Sequence, residues 1–512
     1  MERDKDEDRR GVFPGIEAGV DAELPDGVPW VLFAIIIARV FFQRCNPDHI
    51  PRRLRGWRIC GKAQTVSGRS FGTLTASSRC RRFGIIAIPK TVPRNNSGKR
   101  VVIRGRLDHK FPLFAMHLPR PIACLVVAAA LCLTRPTRAA DPVLAGVGAA
   151  MQDMVAKDEI AGAVTIVVTK DKLLHLASTG MADIASKRAM TPDALFWIAS
   201  MTKPITGTAV LMLQDEGKLN VADPVAKYLP EFANLKTPSG KPANLTITQL
   251  LTHTSGLGEA GGEGAKNART LADLVPLWLA TPMQYEPGAK WKYTQSGINA
   301  AARIVEVVSG MTFDAFVQKR LFDPLGMKDT TFYPSDAQRA RLATAYAKNK
   351  DGTLEAVPPR ADFGTRGQPP RGNGGLYSTA PDYARFCQML LGGGTLDGRR
   401  ILSADAMKFL STPQTGDLPT GFFQNDTFGQ RGKNYGWGIG TSILRTPHEG
   451  VAAMLSPGTF GHGGAWGTQA WCDPVRGVAF VMMVQHANFP NSDASIVRGA
   501  FQQAAADALG GK

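Results

Sequence analysis

Apolar side chains at Val143, Leu144, Val147, Met151 and Met154 return with helical spacing, which predicts a helix over 143–157. Two apolar, strand-forming runs follow, 164–169 and 173–177, joined by Lys170-Asp171-Lys172, the pattern of a hairpin. Near the C-terminus the stretches 436–444, 468–472 and 478–485 read as three further strands. Asp473-Pro474-Val475-Arg476-Gly477, rich in turn formers, joins the last two. A closing helix over 493–508 carries Ile496, Val497, Ala500 and Phe501 on one side.

The middle, about 200–430, has a helical period instead. Helices are predicted over 201–216, 297–308 and 381–391, each stopped by a glycine: Gly217, Gly310 and Gly392. Thr379-Ala380-Pro381-Asp382 is a capping sequence for the third. Strands from both ends of one region, with helices outside them, predict an α+β fold. Its antiparallel sheet is flanked by N- and C-terminal helices and carries a mostly helical inserted region. The expected organisation is a basic irregular extension over 1–115, a leader over 116–140 and one catalytic unit over 141–512.

Charge supports that division. The net charge of +17 suggests an anionic partner until it is located. Residues 1–140 hold 25 basic and 11 acidic side chains, whereas 141–512 hold 35 and 32. The larger part is nearly neutral, so a nucleic-acid partner is not expected. Cysteine divides similarly: only Cys387 and Cys472 follow residue 141, too few for a disulfide framework, and no ligand cluster suggests a metal.

Residues 116–140 begin with Met116, place Arg120 before an apolar run from Ile122 to Leu133, and end in small residues. This is the layout of a secretory signal peptide, with cleavage expected after Ala139. The run is too short to span a bilayer, and Leu131 is too bulky to precede a lipid-bearing Cys132, so no stable membrane anchor is expected. Translation beginning at Met116 would explain a leader inside the chain. The expected location of the product is secreted or periplasmic.

Three segments carry candidate chemistry. Ser200-Met201-Thr202-Lys203 follows the apolar stretch 195–198 and opens a helix, and it is the only Ser-x-x-Lys in the chain. Residues at i and i+3 share a helix face, so the lysine amine can reach the serine hydroxyl. A serine needs an adjacent base, and a lysine can be that base only when burial lowers its pKa. Tyr293-Thr294-Gln295-Ser296-Gly297 follows a turn and precedes a helix, making Tyr293 either a second general base or a core residue. Phe460-Gly461-His462-Gly463-Gly464-Ala465-Trp466-Gly467-Thr468 enters a strand, and its glycines let an N–H approach a ligand closely.

In this order the segments resemble the serine β-lactamase and penicillin-binding-protein superfamily, particularly class C β-lactamases and family VIII carboxylesterases. Leu250-Leu-Thr-His-Thr-Ser-Gly-Leu257, Pro287-Gly-Ala-Lys-Trp-Lys-Tyr293 and Gly374-Gly-Leu-Tyr-Ser-Thr-Ala-Pro-Asp382 extend the resemblance over about 145–508. It implies Ser200 as the acylated nucleophile, Lys203 as its proton partner and Tyr293 as the base acting with the lysine. It implies the N–H groups of Ser200 and Ala465 as an oxyanion hole, with no cofactor or metal. Gln295, His462, Gly463, Gly464 and Trp466 are the expected substrate contacts. Trp437, Trp466 and Tyr435 are candidates to line the acyl pocket, and core packing explains them equally well. His253 looks structural.

Two positions depart from the β-lactamase pattern. Gln295 stands where that pattern has asparagine, and His462 where it has a carboxylate-binding lysine. A histidine is mostly uncharged at neutral pH, so a neutral small-molecule ester is expected over an anionic β-lactam or peptide. The alternatives on the same residues are a β-lactamase or D-alanyl-D-alanine carboxypeptidase, and a penicillin sensor that is acylated without turnover.

Overall fold

The computed structural model describes residues 58–66, 69–77, 83–86 and 142–510, except 359–363, 421–430, 448–449, 488 and 490–494. The chain divides into two compact units, Met1–Pro136 and Thr137–Lys512. In the first, strands Arg58–Val66, Arg69–Ser77 and Phe83–Ile86 form an antiparallel three-stranded sheet. The pattern of apolar positions leaves this stretch irregular, because its threonines favour strand individually without marking a buried face. The leader at 116–140 lies outside the described residues.

The second unit is built on an eight-stranded antiparallel sheet. Its strands in chain order are β1 (Gly162–Thr169), β2 (Leu173–Asp183), β3 (Arg188–Ala189), β6 (Tyr435–Trp437), β7 (Ser442–Leu444), β8 (Phe460–Gly463), β9 (Gln469–Asp473) and β10 (Val478–Met483). A separate short pair, β4 (Phe196–Trp197) and β5 (Tyr377–Ser378), is also antiparallel. The spatial order β6-β7-β8-β9-β10-β1-β2-β3 places the N-terminal hairpin beside the last strand. The expected 436–444 strand is in fact two. Gly440, with φ 78°, and the hydrogen bond from Gly438 N–H to the Thr441 carbonyl turn the chain back between them.

Both faces of the sheet are covered, so its central strands are apolar throughout. Val478, Phe480 and Met482 pack against α1 (Val147–Ala156) and α5 (Ile496–Ala508) through Val147, Met151, Val497 and Phe501. The alternate residues Ala479, Val481 and Met483 face the helical region, α2 (Thr202–Asp215), α3 (Ser296–Ser309) and α4 (Ala380–Leu391). Each fully buried Val, Phe or Met among these contributes about 1.5–3 kcal/mol. The Thr379 side chain caps α4 by accepting from Asp382 N–H, as its sequence implies. Cys387 on α4 and Cys472 on β9 are free, buried and hydrogen bonded to one another. At the centre, α2 lies backbone against backbone on the β6–β7 turn: a Cβ at Gly440 would stand 2.5 Å from the Lys203 carbonyl oxygen.

Candidate active site

Ser200 occupies a 3₁₀ turn, Ala199–Met201, between β4 and α2. Ala199 has φ 45°, a left-handed conformation costly for a residue with a Cβ. The turn is held by its surroundings: Ile198 N–H donates to the Leu376 carbonyl, Thr202 Oγ1 to Ala199 O at 2.7 Å, and Tyr383 Oη to Met201 O at 2.9 Å. The result leaves Ser200 partly exposed at the start of α2 while Lys203, one turn on, is wholly buried.

Lys203 Nζ lies 3.1 Å from Ser200 Oγ, 2.9 Å from Gln295 Oε1 and 2.7 Å from the Asn373 carbonyl oxygen. The last two can only accept. A neutral amine has two N–H bonds for them and one lone pair left for the serine hydroxyl, so this partner set suits a base aimed at Ser200. Burial pushes the Lys203 amine well below its usual range, opposed by the negative charge of Glu259.

The Tyr293 hydroxyl is hydrogen bonded to Ser200 and lies 3.5 Å from His462 Nε2. Burial holds this hydroxyl far above the ordinary tyrosine range, and the Ser200 hydrogen bond partly offsets that. Lys203 Nζ stands 4.6 Å from the centre of the Tyr293 ring, a cation–π distance when the amine is charged. On β8, His462 Nδ1 is 2.6 Å from the Gly463 carbonyl, which only accepts, so the proton is on Nδ1. In the neutral ring Nε2 is then an acceptor for Tyr293.

The glycine-rich loop after β8 is pressed against the serine turn. Gly464 N–H donates to Thr468 O, and Thr468 Oγ1 donates to the Ile198 carbonyl at 3.3 Å, two residues before Ser200. A Cβ at Gly464 would stand 2.5 Å from Ile198 O and collide with Thr468 Oγ1, so only glycine permits this approach. Ala465 follows and is exposed. Trp466 turns aside, its ring edge-on to Trp197 at 4.9 Å. The two line a pocket of about 330 Å³ with Tyr377, Arg188 and Arg339. Tyr435 and Trp437 are wholly buried; Trp437 packs behind the site, 5.6 Å from the His462 ring.

The structure thus joins Ser200, Lys203, Tyr293, Gln295 and His462 in one hydrogen-bonded chain. It also adds three participants that sequence reasoning missed. Asn373 supplies its carbonyl to Lys203 and its side-chain amide to Gln295 Oε1 at 2.9 Å, and it immediately precedes the Gly374 motif. Glu259, two residues beyond Leu257, accepts from Gln295 N–H and from the Ser296 N–H and hydroxyl at 3.1 and 2.9 Å. A carboxylate there is well placed against the positive end of α3. His253 does follow the end of a short helix, Ile247–Leu251, but its ring also lies 4.6 Å from that of Tyr293.

The family model described as Beta-lactamase matches residues 147–505. Esterase EstB of Burkholderia gladioli is 28% identical over 363 residues, covering 64% of this chain and 86% of the relative. Penicillin-binding protein 4 of Amycolatopsis lactamdurans is 31% identical over 306 residues, covering 59% of this chain and 74% of the relative. Among solved structures, EstCE1, a hydrolase with promiscuous acyltransferase activity, superposes with a TM-score of 0.58 at 21% identity, covering 70% of this chain and 97% of its own.

Proposed function

This chain belongs to the Beta-lactamase family, a branch of the serine hydrolases, and from that premise we propose that it hydrolyses carboxylic esters through an acyl-enzyme on Ser200. The observation that carries the reading is the set of partners around Lys203: two fixed carbonyl-type acceptors and the Ser200 hydroxyl. Ser200 Oγ attacks the ester carbonyl carbon as its proton passes to the Lys203 amine. The N–H groups of Ser200 and Ala465 receive the oxyanion. Collapse breaks the acyl–oxygen bond and expels the alcohol, which takes its proton from the Tyr293–Lys203 pair. Water, deprotonated by that same pair, then attacks the acyl carbon; the acyl–Oγ bond breaks, the pair returns the proton to Ser200 Oγ, and the acid is released.

A neutral ester suits this site better than an anionic β-lactam or peptide. The group in the lysine position of the β-lactamase pattern is His462, with Nδ1–H spent on Gly463 and Nε2 facing Tyr293, and the carboxylate of Glu259 adds negative charge beside Lys203. One missing charge-assisted hydrogen bond costs about 1.5–3 kcal/mol, or roughly ten- to a hundredfold in binding. We place the enzyme outside the cytoplasm on the strength of residues 116–140.

The test is a parallel assay of a short p-nitrophenyl ester and a chromogenic cephalosporin on wild type and Ser200→Ala. The ester should have the higher kcat/KM by about tenfold or more, and Ser200→Ala should lose both turnover and fluorophosphonate labelling. A better cephalosporin substrate would move the reading to a β-lactamase, and unchanged labelling of Ser200→Ala would remove the nucleophile assignment.

A further inference from the structure

Tyr293 sits in an irregular segment, and what fixes its place is a single residue forty positions earlier. The His253 carbonyl accepts the Lys292 N–H at 3.0 Å. The His253 ring accepts the Thr294 N–H on Nδ1 at 3.2 Å. The amides on either side of Tyr293 therefore both end on His253. The Tyr285 hydroxyl donates to the same carbonyl at 3.3 Å, tying it down from another segment. The imidazole stands 4.6 Å from the Tyr293 ring, 4.9 Å from Trp437 and 5.9 Å from Trp291, and is wholly buried.

Because Nδ1 accepts, the proton of the neutral ring is on Nε2, and that atom has no hydrogen-bond partner among the described residues. An unsatisfied buried donor is destabilising, and phenylalanine or leucine would avoid it. His253 also has φ 61°, the left-handed region where His, Asn and Asp are the favoured non-glycine residues. Core filling alone explains neither feature. An acceptor for Thr294 N–H, on a backbone turned so that its carbonyl faces Lys292, explains both.

We propose that His253 is the positioning residue for Tyr293, holding its hydroxyl over Ser200 by clamping the two flanking backbone amides. This rests on the reading of Tyr293 as proton carrier. The imidazole stays neutral in this role: burial keeps its pKa well below the usual histidine range, and any proton on Lys203 or His462 would push it lower still.

Three variants separate clamping from filling. His253→Asn keeps a side-chain acceptor near the Nδ1 position and tolerates the left-handed φ. His253→Phe keeps the ring volume without the acceptor, on a strained backbone. His253→Gly relaxes the backbone but lacks both ring and acceptor, so it serves if the Phe variant does not fold. A misplacement of about 1 Å at a reacting group costs on the order of a hundredfold. For a short p-nitrophenyl ester, kcat should therefore fall ten- to a hundredfold in Phe and Gly, with KM within about twofold, while Asn stays within about fivefold of wild type. The rate of Ser200 labelling by a fluorophosphonate should fall in the same order. That reagent needs no particular substrate class, so an enzyme that proves not to be an esterase still reports on the clamp. Equal loss in all three variants, wild-type rates in Phe or Gly, or an effect confined to KM would each overturn the assignment.

Discussion

Gly464→Ala isolates the contact between the glycine-rich loop and the serine turn. The added Cβ would lie 2.5 Å from Ile198 O, where real Cβ contacts start at about 3.0 Å, so the two backbones must part by about half an ångström. Thr468 Oγ1, also in the way, can rotate only by giving up its bond to the same carbonyl. Ile198 is held in turn by Met201 N–H and by the Leu376 carbonyl, so the yielding side is the loop that carries Ala465. A donor works on an oxyanion over about 2.7–3.1 Å, and half an ångström takes it out of that window. Removing such a donor costs 10²–10³ in kcat, so a displaced one should cost on the order of 10–100-fold, with about 1–3 kcal/mol of stability lost to overpacking. The assay is kcat and KM on a short p-nitrophenyl ester beside thermal unfolding. Gly477→Ala is the control: its φ is 66°, nothing lies within 4 Å of its Cβ, and it belongs to the distant β9–β10 turn. The control should lose about 1 kcal/mol and keep its kcat. If Gly464→Ala loses stability and keeps kcat within about twofold, the loop plays no part in the chemistry.

Two pH experiments follow from the same electrostatics. The base form of Lys203 is the neutral amine, so kcat/KM should rise with pH through its depressed pKa. Glu259 raises that pKa, so Glu259→Gln should shift the rising limb to lower pH, and a shift upward would refute the coupling. His175 is held by burial at about 4, with Nδ1 accepting Leu144 N–H and Nε2 facing Thr165 Oγ1. The unfolded chain binds its proton at about 6.5, so between about 4 and 6.5 the unfolded state holds more protons and stability rises with pH. Urea midpoints should fall as pH drops through that window, and His175→Gln should flatten the slope; an unchanged slope would exclude His175 as its source.

Local rules settle a good deal of this protein. Helical spacing alone puts Lys203 on the face of Ser200, and the hydrogen bond between them spans only three residues. The 162–183 hairpin, the glycine stop after α3 and the Thr379 cap are equally local, each decided by residues within a few positions. Where local pattern misleads, the cause is also local: 436–444 alternates well enough for one strand, but Gly440 takes a positive φ and breaks it in two.

What only the tertiary structure decides is contact between distant segments. The acceptors that aim Lys203 lie 92 and 170 residues away, and one of them is a backbone carbonyl, which no residue type announces. His253 reads from its motif as the end of a helix, and its second task is visible only once Thr294, 41 residues later, is folded onto its ring. Tyr293 and Trp437 both read as core or site from sequence, and the fold separates them: one hydroxyl reaches Ser200, while the other ring is sealed behind it. Propensity and periodicity act over one or two turns of chain. The lowered pKa of a buried lysine and the aim of its lone pair depend on which distant segments exclude water around it and which carbonyls they present.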